Sequence, residues 1–196
     1  MAETIGRAPG ELAVVQSLVN TRDIEESTDE LADPAGLQAW LERTGLSAEP
    51  ISPDSPTAAD LSDAIRLREA LRKVLRSHVT HGPVSSQPGE SADAAAELRE
   101  VSARLPTVLE VGDDGRVRLM PAGAGSQAAL AKILLIAAEA ATLGTWDRLK
   151  VCGADDCQWA FYDRSPTRNG CWCSMQICGS RAKSRAYRRR AMAAKR

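Results

Sequence analysis

Cysteine is missing from the first 151 residues of this 196-residue chain, and all five cysteines fall between positions 152 and 178. A disulfide framework would spread its cysteines along the chain, so none is expected through the body. Aromatic residues make up only 4% of the sequence. Ala and Leu are plentiful instead, which favours helix. Histidine occurs twice, at His78 and His81. Their i, i+3 spacing near a helix end suits a metal or an acid–base role, and suits a solvated helix terminus better. The one glycine cluster, "PAGAGSQ", lacks the Lys-Ser/Thr of a phosphate-binding loop. Long apolar runs are also missing. "AALAKILLIAAEAATL" contains Lys132 and Glu139 and is too short and polar to span a bilayer. The opening "MAETIGRAPGELAVVQSLVN" has acids near its start and no long apolar core, unlike a secretory leader. The expectation is a soluble, cytoplasmic protein.

What is present is unevenly placed. The formal net charge is -1, yet residues 1–147 carry 13 Lys+Arg against 23 Asp+Glu, whereas residues 148–196 carry 12 against 3. An acidic body with a basic tail suits a polyanionic partner for the tail. Mutual neutralisation of the two parts is the plainer alternative. The composition change puts a boundary near Thr145–Lys150.

Helical spacing organises the body. Leu12, Val15, Leu18 and Val19 share one face. In "DELADPAGLQAWLERTGL", Asp33 reads as an N-cap, Pro34 as the first helical residue and Gly45 as the stop, with Leu37, Trp40 and Leu41 inward. A Pro-rich loop leads to a third helix near Thr57 or Asp60, with Leu61, Ile65, Leu71 and Leu75 on one stripe. Its basic stretch "RLREALRKVLR" reads as a solvated face, or as a seat for an anion or another subunit. A polar break follows, then a fourth helix after Ser91. "PTVLEVGDDGRVRLMP" alternates on both sides of Asp-Asp-Gly, the pattern of a β-hairpin. The fifth helix, "GSQAALAKILLIAAEAATLG", is apolar almost all round and is expected at the centre of the core. The body holds enough apolar stripe to fold without the tail.

The cysteines carry the chemistry. Cys152-x4-Cys157, fifteen residues, then Cys173-x4-Cys178 is how one chain sets four thiolates around a tetrahedral zinc ion. Gly153 and Gly179 each follow a cysteine and permit tight turns. The segment between the pairs, "QWAFYDRSPTRNGCW", can run out and back as a hairpin, with Trp159 and Phe161 on one side. A tail of few apolar residues gains from a structural metal, whose binding is coupled to folding. A disulfide or a redox thiol pair is the alternative, and Cys171 is read as a bystander. After Cys178, "GSRAKSRAYRRRAMAAKR" is a good helix former. The expected fold class is mainly α: a helical N-terminal domain with one β-hairpin, plus a small C-terminal four-cysteine zinc domain of a β-hairpin followed by a helix.

The stretch "LKVCGADDCQWAFYDRSPTRNGCWCSMQICGSRAKSRAYRRR" resembles the bacterial CGNR zinc-finger proteins. The matching positions are Arg148, Lys150, Cys152, Cys157, Trp159, Phe161, Asp163, Ser165, Trp172, Cys173, Ser174, Met175, Cys178, Gly179, Arg181 and Lys183. "LVNTRD", "DELADPAGLQAWLERTGL" and "LREALRKVL" resemble the α-rich ABATE region that precedes such fingers. Ser180 departs from the Asn of the name-giving motif, and "SPTRNGCW" departs from its usual paired arginines. The resemblance implies a stress-related transcription regulator, with zinc and DNA as its partners.

On this reading residues 1–147 are a sensor or homodimerisation domain and residues 148–196 a zinc finger. Arg168 in the finger, and Arg181, Lys183, Arg185, Arg188, Arg189 and Arg190 on its helix, are the candidate contacts to double-stranded DNA, mostly through phosphates. The location is then cytoplasmic, and nucleoid-associated when bound. The other readings are a protein-interaction module, with RNA polymerase or a sigma factor as partner, and an RNA binder stacking bases on Trp159, Phe161 and Tyr162. Catalysis is not expected, because four cysteine ligands leave no open metal position for a water.

Overall fold

The computed structural model describes residues 6–46, 56–80 and 90–193. His81 and most of the two polar breaks lie outside them. The described elements run α1 (Leu12–Val19), β1 (Arg22–Asp23), β2 (Thr28–Asp29), α2 (Pro34–Thr44), α3 (Ala58–Ser77), α4 (Glu90–Ser102), β3 (Thr107–Val111), β4 (Val117–Pro121), α5 (Gly125–Thr142), β5 (Leu149–Val151), β6 (Ala160–Tyr162) and α6 (Ser180–Ala193). The fold is mainly α, with three antiparallel two-stranded pairs, β1–β2, β3–β4 and β5–β6, among the described residues.

Local chemistry sets the helix ends. Asp33 accepts from the Gly36 amide at 2.8 Å, Pro34 opens α2, and Gly45 closes it at φ 66. Thr57 and Asp60 form a capping box at the start of α3. Leu12, Val15, Leu18, Leu37, Trp40, Leu41, Leu71 and Leu75 are buried as their spacing predicts, while Leu61 and Ile65 pack at the edge of that core.

Two expectations change. The centre is α3, which touches α1, α2, α4, α5 and β5. Helix α5 is half inside: Ala129, Leu130, Ile133, Ile136 and Ala140 are buried. Its other side, with Ala128, Leu135 and Ala138, helps β4 line an open groove of about 1040 Å³. An all-round apolar helix therefore offers two apolar faces, and the described chain covers one. The basic face of α3 is also not simply solvated. Arg68 and Arg72 are 1% and 4% exposed. Arg68 reaches both carboxylate oxygens of Asp29, at 2.6 and 2.9 Å, and Arg72 donates to the Val19 carbonyl at 2.7 Å. The β1–β2 hairpin and the open C-terminal carbonyls of α1 supply the partners that let these guanidinium groups go inside.

The β3–β4 hairpin has the expected register, from Thr107↔Pro121 to Val111↔Val117. Gly115 adopts φ 72 in its turn. Every residue of its two strands is exposed except Pro121, which is partly buried.

Candidate metal centre and basic helix

The short pair β5–β6 carries the first cysteines. Leu149↔Tyr162, Lys150↔Phe161 and Val151↔Ala160 are paired and all six are buried. Cys152 and Cys157 lie in the connection between these strands. The Cys152 amide donates to the Trp159 carbonyl at 2.9 Å, and the Cys157 amide to that of Ala154 at 3.0 Å. The hairpin is thus built from residues 149–162, not from the segment between the two cysteine pairs. Leu149-Lys150-Val151 is the strand partner of 160–162, and Lys150 holds the later loop in a compact return instead of an extended strand.

Lys150 is 2% exposed and uses all three protons. They go to Asp163 Oδ2 at 2.8 Å and to the carbonyls of Arg168 and Gly170 at 2.6 and 3.2 Å. Asp163 accepts in turn from the Ser165 and Gly170 amides at 2.9 and 2.8 Å. Arg148 donates to the carbonyls of Asp163 and Ser165, both at 3.0 Å. This loop returns the chain to Trp172 and Cys173. Ser174 then caps a π-helical turn, Met175–Gly179, by accepting from the Ile177 amide, and that turn runs straight into α6. Cys178 therefore sits at the entry to the basic helix, as expected.

The four sulfurs of Cys152, Cys157, Cys173 and Cys178 all lie within 4.8 Å of one another. Cys157 and Cys173, and Cys173 and Cys178, are each 3.7 Å apart. Cys171 stands outside the quartet; its carbonyl accepts from the Gly153 amide at 2.9 Å, and burial pushes its thiol up. Within the quartet the Cys152 thiol is drawn well down by hydrogen bonds from Cys157 and Cys173. Those two are pushed up, chiefly because they donate to Cys152. Cys178 is raised by burial and then by the Cys152 charge. Four converging sulfurs that oppose one another's ionisation form a site for a metal cation. Trp159 and Trp172 pack half-buried against them. Phe161 and Tyr162 are buried, so their rings serve packing in this structure.

The body grips this unit. Gln16 and Asn20 of α1 both donate to the Ala160 carbonyl at 3.0 Å, and Asn20 accepts from the Ala160 amide at 2.7 Å. Arg72 donates to the Gln158 carbonyl at 2.8 Å, and Gln158 has a φ of 52. His78 Nδ1 bonds the Leu149 carbonyl at 2.8 Å, its ring edge-on to Trp146, and burial lowers its pKa. His78 thus braces β5. Sequence reading missed Arg72 and Lys150 as the organisers of the knuckle; long cationic side chains inside two apolar segments were the available signal.

The candidate DNA contacts are exposed, apart from Arg185, which is half-buried. Arg181, Arg185 and Arg188, at i, i+4 and i+7, line a groove of about 530 Å³ with Ser180, Ser184 and Ile177. Lys183 and Arg189 line a second groove with Trp172. Arg168 is in the loop, at φ 53, away from the helix. Two of these cations already have acidic partners: Arg181 meets Glu25 of the body at 2.6 Å, and Arg185 meets Asp156 of the knuckle at 3.3 Å.

A helical body fastened to a four-cysteine knuckle that ends in a basic helix is the class of protein these observations define. The chain belongs to the ABATE family, described as "Putative stress-induced transcription regulator", whose model matches residues 12–145. The CGNR zinc finger model matches residues 148–191. No curated protein matches the sequence significantly. No helix among the described residues is long and apolar enough to cross a membrane.

Proposed function

We propose that the chain is a DNA-binding transcription regulator whose finger holds one zinc ion and presents α6 to duplex DNA. The observation that carries this reading is the helix that starts at the fourth sulfur and displays Arg181, Arg185 and Arg188 along one stripe. Zinc fits the quartet: Zn–S bonds of ~2.3 Å in a tetrahedron put sulfurs ~3.8 Å apart, and the Cys157–Cys173 and Cys173–Cys178 pairs stand at 3.7 Å with every pair within 4.8 Å. Four thiolates fill the coordination sphere, so the metal's task is structural, and the protein is read as a regulator, not an enzyme. Cys152, Cys157, Cys173 and Cys178 are its ligands. Lys183, Arg188, Arg189 and Arg190 lie around the helix, so most contacts go to phosphates. Residues 1–147 serve as the sensing part, residues 148–196 as the reading part, and the protein resides with the nucleoid when bound.

Anisotropy of a labelled duplex titrated with full-length zinc-loaded protein tests this. Affinity falls steeply with salt, and replacing Arg181, Arg185 and Arg188 by Ala shallows the log–log slope by about one unit per lost phosphate contact. Absence of binding at low salt sinks the reading. A second reading draws on the pairing of Arg181 and Arg185 with Glu25 and Asp156: carboxylates fit this helix, so an acidic surface of the transcription machinery fits it too. That reading expects an unchanged fold, no duplex binding, and a salt-sensitive complex with purified RNA polymerase or sigma factor.

A further inference from the structure

The β3–β4 hairpin departs from the usual arrangement of an antiparallel pair, because neither of its faces is covered. Such a sheet packs its apolar face inward and solvates its polar one. Here Leu109 and Leu119 are register partners, as are Val111 and Val117, so all four lie on one face. They are 69%, 54%, 68% and 62% exposed. The opposite face carries the pairs Val108↔Met120 and Glu110↔Arg118. Both faces are open, and the one with no charged pair is the more exposed. Leu119 also borders the open groove beside α5, so the apolar surface continues onto Leu135 and Ala138.

We infer that this face is the contact between two copies of the chain, related by a two-fold axis and packing hairpin against hairpin. Three observations favour a second copy. The first is area: the four side chains of this face, all more than half exposed, amount to on the order of 300 Å², a contiguous apolar patch of the size that marks contact sites. With the groove wall added, a two-fold pair would bury roughly 1,000 Å² in total, the least that a specific interface needs. The second is charge. At its turn and on its other face the hairpin carries Glu110, Asp113 and Asp114 with Arg116 and Arg118, both signs in near balance. A patch that must meet itself across a two-fold needs such a mixture, whereas a rim of one sign would repel its own copy. The third is arrangement: Leu stands opposite Leu and Val opposite Val across the two strands, so the face is nearly its own match, as an isologous contact requires. This inference is independent of DNA binding, which it would nonetheless serve by presenting two basic helices to two half-sites.

Sedimentation equilibrium of the full-length zinc-loaded protein, without DNA, tests it. The expected mass at micromolar concentration is that of a dimer, and it persists at high salt because the contact is apolar. Leu109→Glu weakens association by on the order of 30-fold, the scale of a residue at an interface centre. Val117→Lys does the same, and Leu109→Asn gives a milder form of the effect. Each variant keeps the helical circular dichroism of the diluted wild type, since these side chains are solvent-exposed within one copy. Replacing Arg181, Arg185 and Arg188 by Ala leaves the dimer intact while weakening duplex binding and shallowing its salt slope, so the two ideas fail separately. A monomer at every concentration overturns the inference and gives the face to another occupant. A dimer that survives Leu109→Glu and Val117→Lys, or that is lost with the α6 arginines, also overturns it.

Discussion

At the scale of single residues, Lys150 and Asp163 decide whether the knuckle forms. Both are nearly fully buried, at 2% and 5% exposure, and each saturates the other's loop with hydrogen bonds. Removing one charge leaves the other buried and unpaired. Asp163→Asn is therefore expected to cost about 3–5 kcal/mol, read as a lowered midpoint in denaturant. Burial raises the Asp163 pKa, but the Lys150 ammonium and the Ser165 and Gly170 amides outweigh it and hold the group at about 2. A carboxylate depressed in the folded state adds stability above its unfolded pKa. That stability is lost as pH falls from about 4 through about 2. A melting series across that window should slope for the wild type and flatten for Asp163→Asn; equal slopes would show that other carboxylates govern the acid limb. Gly170→Ala attacks the same node by size, since its Cβ would stand 2.8 Å from Asp163 Cγ.

At the scale of elements, α6 depends on the metal turn below it. It is anchored by the turn Met175–Gly179 that carries Cys178, by the Ser180 hydroxyl on the Met175 carbonyl, and by the ion pairs of Arg181 and Arg185. Chelation of the zinc should accordingly release α6 to fast amide exchange while α1 and α2 stay protected. Cys157→Ser should lose the metal, and Cys171→Ser should keep it at one per chain; the reverse pattern would reassign the quartet. On the proposed reading Glu25 competes with phosphate for Arg181, so Glu25→Gln should tighten duplex binding by about a few-fold at low salt. No change would mean that Arg181 does not touch DNA. Much of this architecture was legible in the sequence. Caps at Asp33 and Gly45, the turn at Gly115 and the paired cysteine spacing are local signals, and each places its element correctly. The partner of strand 160–162 and the inward turn of Arg68 and Arg72 were not legible, because they depend on groups 13 to about 86 residues away. The side of α5 left open was equally hidden, since apolar periodicity says that a face is covered and not by what.

At the scale of the whole molecule, composition and the two family matches divide the chain near 145–148, while its main core runs across that line. Leu149, Val151, Ala160 and Tyr162 belong to the same buried cluster as Leu18, Trp40 and Leu71. Polar groups cross as well: Gln16 and Asn20 rest on Ala160, and Arg72 on Gln158. A chain ending at residue 147 would expose the apolar surface that β5 and β6 cover. It would also leave Arg72, 4% exposed, short of an acceptor, a loss of about 1–3 kcal/mol by itself. Such a protein should keep helical circular dichroism, because α1, α2, α3 and α5 still share their own leucines. It should melt at a lower temperature and less cooperatively than the full chain. In the full chain, zinc removal should lower the melting of the body too, since the knuckle is part of its wall. Calorimetry of both proteins with and without chelator measures this directly. Identical body transitions in all four samples would mean that the finger rests on a self-sufficient domain. A metal-dependent shift would mean that whatever binds the body is felt at the knuckle, through Arg72 and His78, without any hinge between them.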